Sequence, residues 1–227
     1  MENIKKHFEN EAEEFDKTIQ QLIPLYSEMI DSMVTAIPYN VSDKFKVLDL
    51  GCGTGNVSKV VKEKFPLAII DCIDIAENMI DMAKVKLENY QNINYYTGDF
   101  ADFDFNAKYD VVISSLALHH IKTDEEKKSF YRRIYDVLNK GGVFLNSDKV
   151  LGSNKILNKI YMEKWVEFML QNVSKEEVEG KWLPQHAPED FPAPLTQHLQ
   201  WLNELGFKYI DVIWKYYGSA VYSGTKL

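Results

Sequence analysis

The 227 residues are enough for one globular domain, and a hydrophobic share of 45% supplies a packed core. A net charge of −8 leaves no cationic surplus for a phosphate backbone, so nucleic acid is not an expected partner. No run approaches the ~20 apolar residues of a membrane span, and Met1 to Lys6 lacks an apolar leader. A cytoplasmic protein with Cys52 and Cys72 reduced is the expectation, without membrane attachment.

In chain order, the first signal is helical. From Ile4 to about Ile37, Phe8, Phe15, Ile19, Leu22, Ile23, Tyr26, Met29, Ile30 and Met33 recur at three- and four-residue steps. Pro24 marks the start of a second helix. An alternating series follows. Lys46–Leu50 reads as a strand, Gly51–Gly55 as a turn, and Asn56–Phe65 as a helix closed by Pro66. Ala68–Ile73 is a second strand and Ala76–Glu88 a helix. Ile93–Thr97 and Tyr109–Ser115 are the third and fourth strands. Asp124–Leu138 is a helix stopped by Gly141-Gly142, and Val143-Phe144-Leu145 opens a fifth strand. Such alternation implies right-handed βαβ units and a parallel sheet.

The alternation then breaks. Asn154–Glu179 reads as one helix with an aromatic, Met-rich face, followed by a run holding Pro184, Pro188, Pro192 and Pro194. Thr196–Leu205 is a helix ended by Gly206, and Tyr209–Tyr216 and Ser219–Ser223 form a hairpin around Gly218. No repeat divides the chain, so 1–227 is read as one domain. Residues 1–40 and 154–205 lie outside the βαβ units and are expected to cover the site.

The chemistry concentrates at the ends of the strands. Val47-Leu48-Asp49-Leu50-Gly51-Cys52-Gly53-Thr54-Gly55 places a glycine-rich turn between the first strand and helix, where backbone approaches a ligand closely and free amides meet its anionic groups. Alone, the turn suits a dinucleotide or simply a tight bend. Asp74, closing the second strand, is placed to accept hydrogen bonds from ribose hydroxyls, with Ile75 and Met79 flanking an adenine. Gly98-Asp99-Phe100 leaves the third strand at the same edge, and Ser114-Ser115-Leu116-Ala117-Leu118-His119-His120 leaves the fourth.

Together these segments resemble the class I S-adenosylmethionine (SAM)-dependent methyltransferases, over nearly the whole chain. The resemblance implies a Rossmann-like α/β fold: a seven-stranded sheet in order 3-2-1-4-5-7-6, the last strand antiparallel, with helices on both faces and a helical lid. It implies that Asp49 to Gly55, including Gly51, Cys52 and Gly53, surround the methionine part of SAM. It also implies that Asp74 holds the ribose and that Asp99 and Phe100 meet the adenine. Ser115 follows at the same edge. Phe15-Asp16 with Ile23-Pro24-x-Tyr26 is similar to small-molecule methyltransferases and to the related carboxy-SAM synthase; in such relatives these helices fold over the cofactor, which makes Tyr26 a contact candidate. The synthase holds carboxylates with arginine, whereas Arg132 and Arg133, the only arginines here, lie on the helix after strand four. The spacing Gly51-x-Gly53-x-Gly55 also departs from the G-x-G-x-x-G of dinucleotide enzymes.

His119 and His120 are the acid–base candidates, although methyl transfer from a sulfonium needs chiefly alignment and desolvation. The segment after strand four lacks the Asn/Asp-Pro-Pro-Tyr found where planar amines are methylated. Trp165, Phe168, Met169, Trp182, Phe191 and Trp201 are either core or pocket lining. His186 and Asp190, with Glu189 nearby, do not match a ligand spacing, and no metal is expected. The expected activity is methyl transfer from SAM to oxygen, nitrogen or sulfur of a small-molecule acceptor by a monomer or homodimer. The alternative is a catalytically silent SAM-binding module.

Overall fold

A computed structural model describes residues 14–227, without the side chains of 186 and 187. The expected helical start at Ile4 and Phe8 lies outside the described residues. Two helices, α1 (Phe15–Leu22) and α2 (Tyr26–Thr35), precede β1 (Lys46–Leu50). Then come α3 (Asn56–Lys64), β2 (Ile69–Asp74), α4 (Glu77–Lys86), β3 (Ile93–Thr97) and β4 (Tyr109–Ser115). A 3-10 turn at Leu118–His120 leads into α5 (Asp124–Val137), whose start is fixed by a Thr123–Glu126 capping box.

Strand β5 (Leu138–Lys149) starts where α5 ends and runs straight through Gly141-Gly142. These glycines therefore do not stop the helix. A Cβ on Gly142 would meet the Asn139 carbonyl oxygen at 2.9 Å, and Gly141 has φ +84°, so the pair serves a crowded irregularity inside the strand. Beyond β5 the long helix expected over Asn154–Glu179 is divided. Helix α6 (Lys155–Asn172) ends at an extended Val173, a π-helical turn spans Val178–Trp182, and α7 (Leu183–Glu189) runs through the first half of the proline-rich segment. Pro184 falls just after the π-helical turn inside a helical run continuous from Lys175, so its missing N–H lies where the hydrogen-bond ladder is already widened. Helix α8 (Leu195–Leu205) ends on Gly206 at φ +100°, followed by β6 (Lys208–Tyr216) and β7 (Ser219–Thr225).

The seven strands form one sheet in the order β3-β2-β1-β4-β5-β7-β6, with β7 antiparallel to both neighbours. Successive side chains alternate between its faces. Val47, Ile70, Val111 and Ile113 pack with Met29, Met33, Val57 and Val61 from α2 and α3. Leu48, Leu50, Val112 and Phe144 pack with Phe130, Tyr131, Ile134 and Leu202 from α5 and α8. The parallel strands end together on one edge, and the order reverses between β1 and β4, which opens a crevice there.

Candidate active site

The crevice is floored by the turn after β1. Gly51, Gly53 and Gly55 have φ of +68°, +53° and +83°, a left-handed conformation that side chains resist. Their roles differ. A Cβ on Gly51 would stand 2.4 Å from the Ala117 Cβ, and one on Gly55 would stand 2.9 Å from Leu87 Cδ1, so both permit close packing. A Cβ on Gly53 would meet only Phe15, at 3.7 Å, so that position faces open space.

Asp74, at the end of β2, ties the turn down. Gly53 N donates to its Oδ2 at 2.8 Å and Ala76 N to its Oδ1 at 2.9 Å. Burial raises the pKa of this carboxyl, against those amides. Asp49 lies deeper: burial pushes it up to about 7, opposed by the Ser58 hydroxyl that donates to Oδ2 at 2.6 Å. Its buried Oδ1 has no partner among the described residues. A turn with open space at Gly53, an acid at the second strand end and an orphaned Asp49 oxygen behind the turn fit a ribose-bearing cofactor. Were such a cofactor bound, Asp74 would be the residue to hold the ribose and the Gly51–Gly53 backbone the amino-acid part.

Helix α1 is fastened across this turn. Asp16 accepts from Thr54 Oγ1 at 2.6 Å and Asn56 Nδ2 at 3.0 Å, and pairs with Lys86 Nζ at 2.5 Å. Burial opposes ionisation of Asp16, but the Lys86, Thr54 and Asn56 bonds prevail and hold its pKa below the usual range. The sequence reading missed this clasp, because its members lie on three separate segments.

Two cavities meet at the crevice. The first encloses about 720 Å³, including space open to solvent; its walls include Tyr26, Gly51, Cys52, Gly53, Asp74 and Ile75. Met79, Phe100, Ser115 and His120 complete the expected lining residues. Asp49, Gly55 and Asp99 are not on this wall. Asp49 is behind the turn, Gly55 packs on α4, and Asp99 accepts from Ala101 N at 2.9 Å to fix the bend after β3. The second cavity, about 740 Å³ on the same measure, is lined by Leu22, Ile23, Trp165, Trp182, Gln185 and Lys149, with His119 and Asp190 at its polar end. Phe15, Ile19, Leu116 and His120 belong to both walls. Of the insertion aromatics, Trp165 and Trp182 line a cavity, whereas Trp201 is 4% exposed in the core.

The two histidines are held differently. His119 Nδ1 lies 2.5 Å from Asp148 Oδ1 and its Nε2 3.3 Å from Asp190 Oδ1. Burial works against its charge, but the Asp148 and Asp190 carboxylates raise it to about 9. His120 Nδ1 lies 2.9 Å from the Glu189 carbonyl; burial and the neighbouring His119 lower it to about 3. Of the two acid–base candidates, only His120 reaches the first cavity, whereas both line the second. Asp148 was also missed. An acid three residues beyond the apolar run Val143-Phe144-Leu145, at the end of the expected fifth strand, was the available signal.

Comparison with known proteins agrees with this geometry. A methyltransferase-domain model matches residues 47–142, from β1 into β5. Residues 47–142 carry a methyltransferase domain of the class I SAM-dependent type. Over 98% of its length this methyltransferase is 29% identical to the carboxy-S-adenosyl-L-methionine synthase of Nautilia profundicola, covering 96% of that protein. The synthase of Campylobacter lari is 27% identical over 94% of the chain and 92% of its own. Among solved structures, the DhpI–S-adenosylhomocysteine complex superposes with TM-score 0.66 at 17% identity, covering 96% of this methyltransferase and 93% of DhpI. Human N-acetylserotonin methyltransferase with SAM gives 0.65 at 22% identity; the present chain covers only 56% of it. No helix among the described residues is long and apolar enough to cross a membrane.

Proposed function

We propose that this methyltransferase moves the methyl group of SAM to an oxygen, nitrogen or sulfur of a small, partly apolar acceptor held in the second cavity. The carrying observation is the wall of Phe15, Ile19, Leu116 and His120 shared by the two cavities, which sets a cofactor cleft directly against an acceptor pocket. SAM, when bound, supplies an electrophilic methyl on a sulfonium. The protein's part is to align and to exclude water. Asp74 and the glycine turn hold the cofactor; Trp165 and Trp182 enclose an apolar acceptor body. Trp182 Nε1 and Gln185 Oε1 are buried without a partner among the described residues, one donor and one acceptor for polar atoms of that ligand. His120, at the junction, and His119, on the acceptor side, are the side chains we place beside the reacting atom. Helix α1 and residues 154–205 form the cover, joined where Trp165 Nε1 donates to the Leu22 carbonyl at 2.8 Å.

Carboxyl transfer is the second reading, favoured by whole-length similarity to proteins named carboxy-SAM synthase. The disposition of the arginines opposes it. Arg132 donates to the Leu205 carbonyl at 3.2 Å, and Arg133 to the carbonyls of Phe100 and Phe103; neither lines the two cavities. The deciding experiment incubates the protein with SAM and a small-molecule extract, followed by mass spectrometry. S-adenosylhomocysteine with a methylated metabolite is the expected result. A carboxylated SAM would establish the second reading, and SAM bound without turnover would make the chain a silent module.

A further inference from the structure

We propose that His119, His120 and Asp190 form a binding site for one divalent transition-metal ion at the polar end of the second cavity. One ligand atom from each lies within 4.8 Å of the other two. Asp190 Oδ1 is 3.3 Å from His119 Nε2 and 3.6 Å from His120 Nδ1. Two ligands each ~2.1 Å from a common ion at tetrahedral or octahedral angles stand roughly 3.0–3.4 Å apart. The Asp190–His119 edge has that length, the Asp190–His120 edge is slightly longer, and the two imidazole nitrogens lie within 4.8 Å of each other, so the two rings draw together around Asp190 when the ion binds.

The surroundings are those of a supported ligand set. His119 Nδ1 bonds the buried Asp148 carboxylate, which also accepts the His119 backbone N–H at 3.1 Å; this leaves Nε2 as the nitrogen presented to Asp190. A carboxylate behind a histidine in this way fixes the ring and strengthens it as a ligand. Asp190 Oδ2 is taken by Lys149 Nζ at 2.5 Å, which steers Oδ1 toward the imidazoles. The backbone is fastened too, because Phe191 N donates to the His119 carbonyl at 2.9 Å. Coordination through His120 Nδ1 would exchange its contact with the Glu189 carbonyl for the ion. Two imidazoles and one carboxylate, with the remaining positions toward the cavity, suit Zn²⁺, Mn²⁺ or Fe²⁺ rather than Mg²⁺ or Ca²⁺. His119, His120 and Asp190 all line the second cavity, so the open positions face the space assigned above to the acceptor. Only that last consequence rests on the proposed function; ion binding does not.

The test uses the full chain, freed of metal with a chelator and titrated calorimetrically with Zn²⁺. One ion per chain is expected, with ~10-fold or greater weakening in Asp148→Asn and loss in Asp190→Asn and in His119→Gln. S-adenosylhomocysteine binding, measured in parallel, reports whether each variant is folded. Should a variant not fold, Co²⁺ added to the unmodified protein decides: intense visible bands at one equivalent support a nitrogen-containing site. No stoichiometric Zn²⁺ binding, Zn²⁺ binding unaltered in folded Asp190→Asn, or a Co²⁺ spectrum like the aqueous ion would overturn the proposal. Metal binding without any turnover would refute the enzymatic reading and leave the ion site standing.

Discussion

Replacing Asp74 tests the cofactor cleft and its construction together. Its carboxylate accepts from two backbone donors, at 2.8 Å from Gly53 and 2.9 Å from Ala76, while remaining 7% exposed. Hydrogen bonds to charged groups contribute about 1.5–3 kcal/mol each. Burial, which raises the pKa of this group, draws the sum toward the lower end, so Asp74→Ala should destabilise the fold by roughly 3 kcal/mol. Asp74→Asn keeps an acceptor for one amide and should lose about half of that. Loss of the charged partner of the ribose adds a separate cost in binding, about ten- to a hundredfold in SAM affinity. Urea denaturation measures the first effect. Calorimetric titration with SAM, on variants shown to be folded at the working temperature, measures the second, and NAD should not compete. Asp74→Ala with an unchanged urea midpoint and a SAM affinity within twofold of the parent would refute both the tether and the ribose contact.

Gly53→Val should abolish SAM binding at a stability cost of about 1–2 kcal/mol, since the branch enters open cleft and the backbone is left-handed; full activity would remove the turn from the site. Asp49, lifted to about 7, is held protonated in the fold while its unfolded counterpart ionises near pH 4. Its stabilising share is therefore complete below pH 4 and disappears as pH rises to about 7, a fall on the order of 4 kcal/mol. Asp49→Asn should flatten the stability–pH curve across that window, and an unchanged slope would contradict the assignment. Asp16→Ala should free α1 from Thr54, Asn56 and Lys86, seen as faster hydrogen exchange in Phe15–Leu22 but not in Val111–Ile113. Trp165→Ala should weaken acceptor binding more than SAM binding; equal losses would return Trp165 to a packing role.

The strands and the glycine turn were legible because both are local, whereas the order of the strands came only from the family resemblance. Each strand announces itself over a few residues, and the turn, Asp74, Ile75, Met79 and Phe100 all stand at strand ends that the βαβ rule gathers on one edge. What was illegible joins segments far apart. Asp16 meets Thr54 and Lys86, and His119 meets Asp148 and Asp190, through packing that no periodicity encodes. Asp49 and Asp99 belong to the family motif yet sit off the cleft wall, Asp49 behind the turn and Asp99 capping the bend after β3. The break of the long helix at Val173 and the helix through Pro184 and Pro188 carry no such local mark.

Phe15 and Ile19 face both cavities from a single short helix. A ligand that shifts that helix from one side would alter the shape offered on the other, which would link the two ligands thermodynamically. By reciprocity, the factor by which bound S-adenosylhomocysteine tightens an acceptor must equal the factor by which the acceptor tightens S-adenosylhomocysteine. If the second cavity holds the acceptor, a substitution at Ile19 should change the coupling between the sites without removing a polar contact from either.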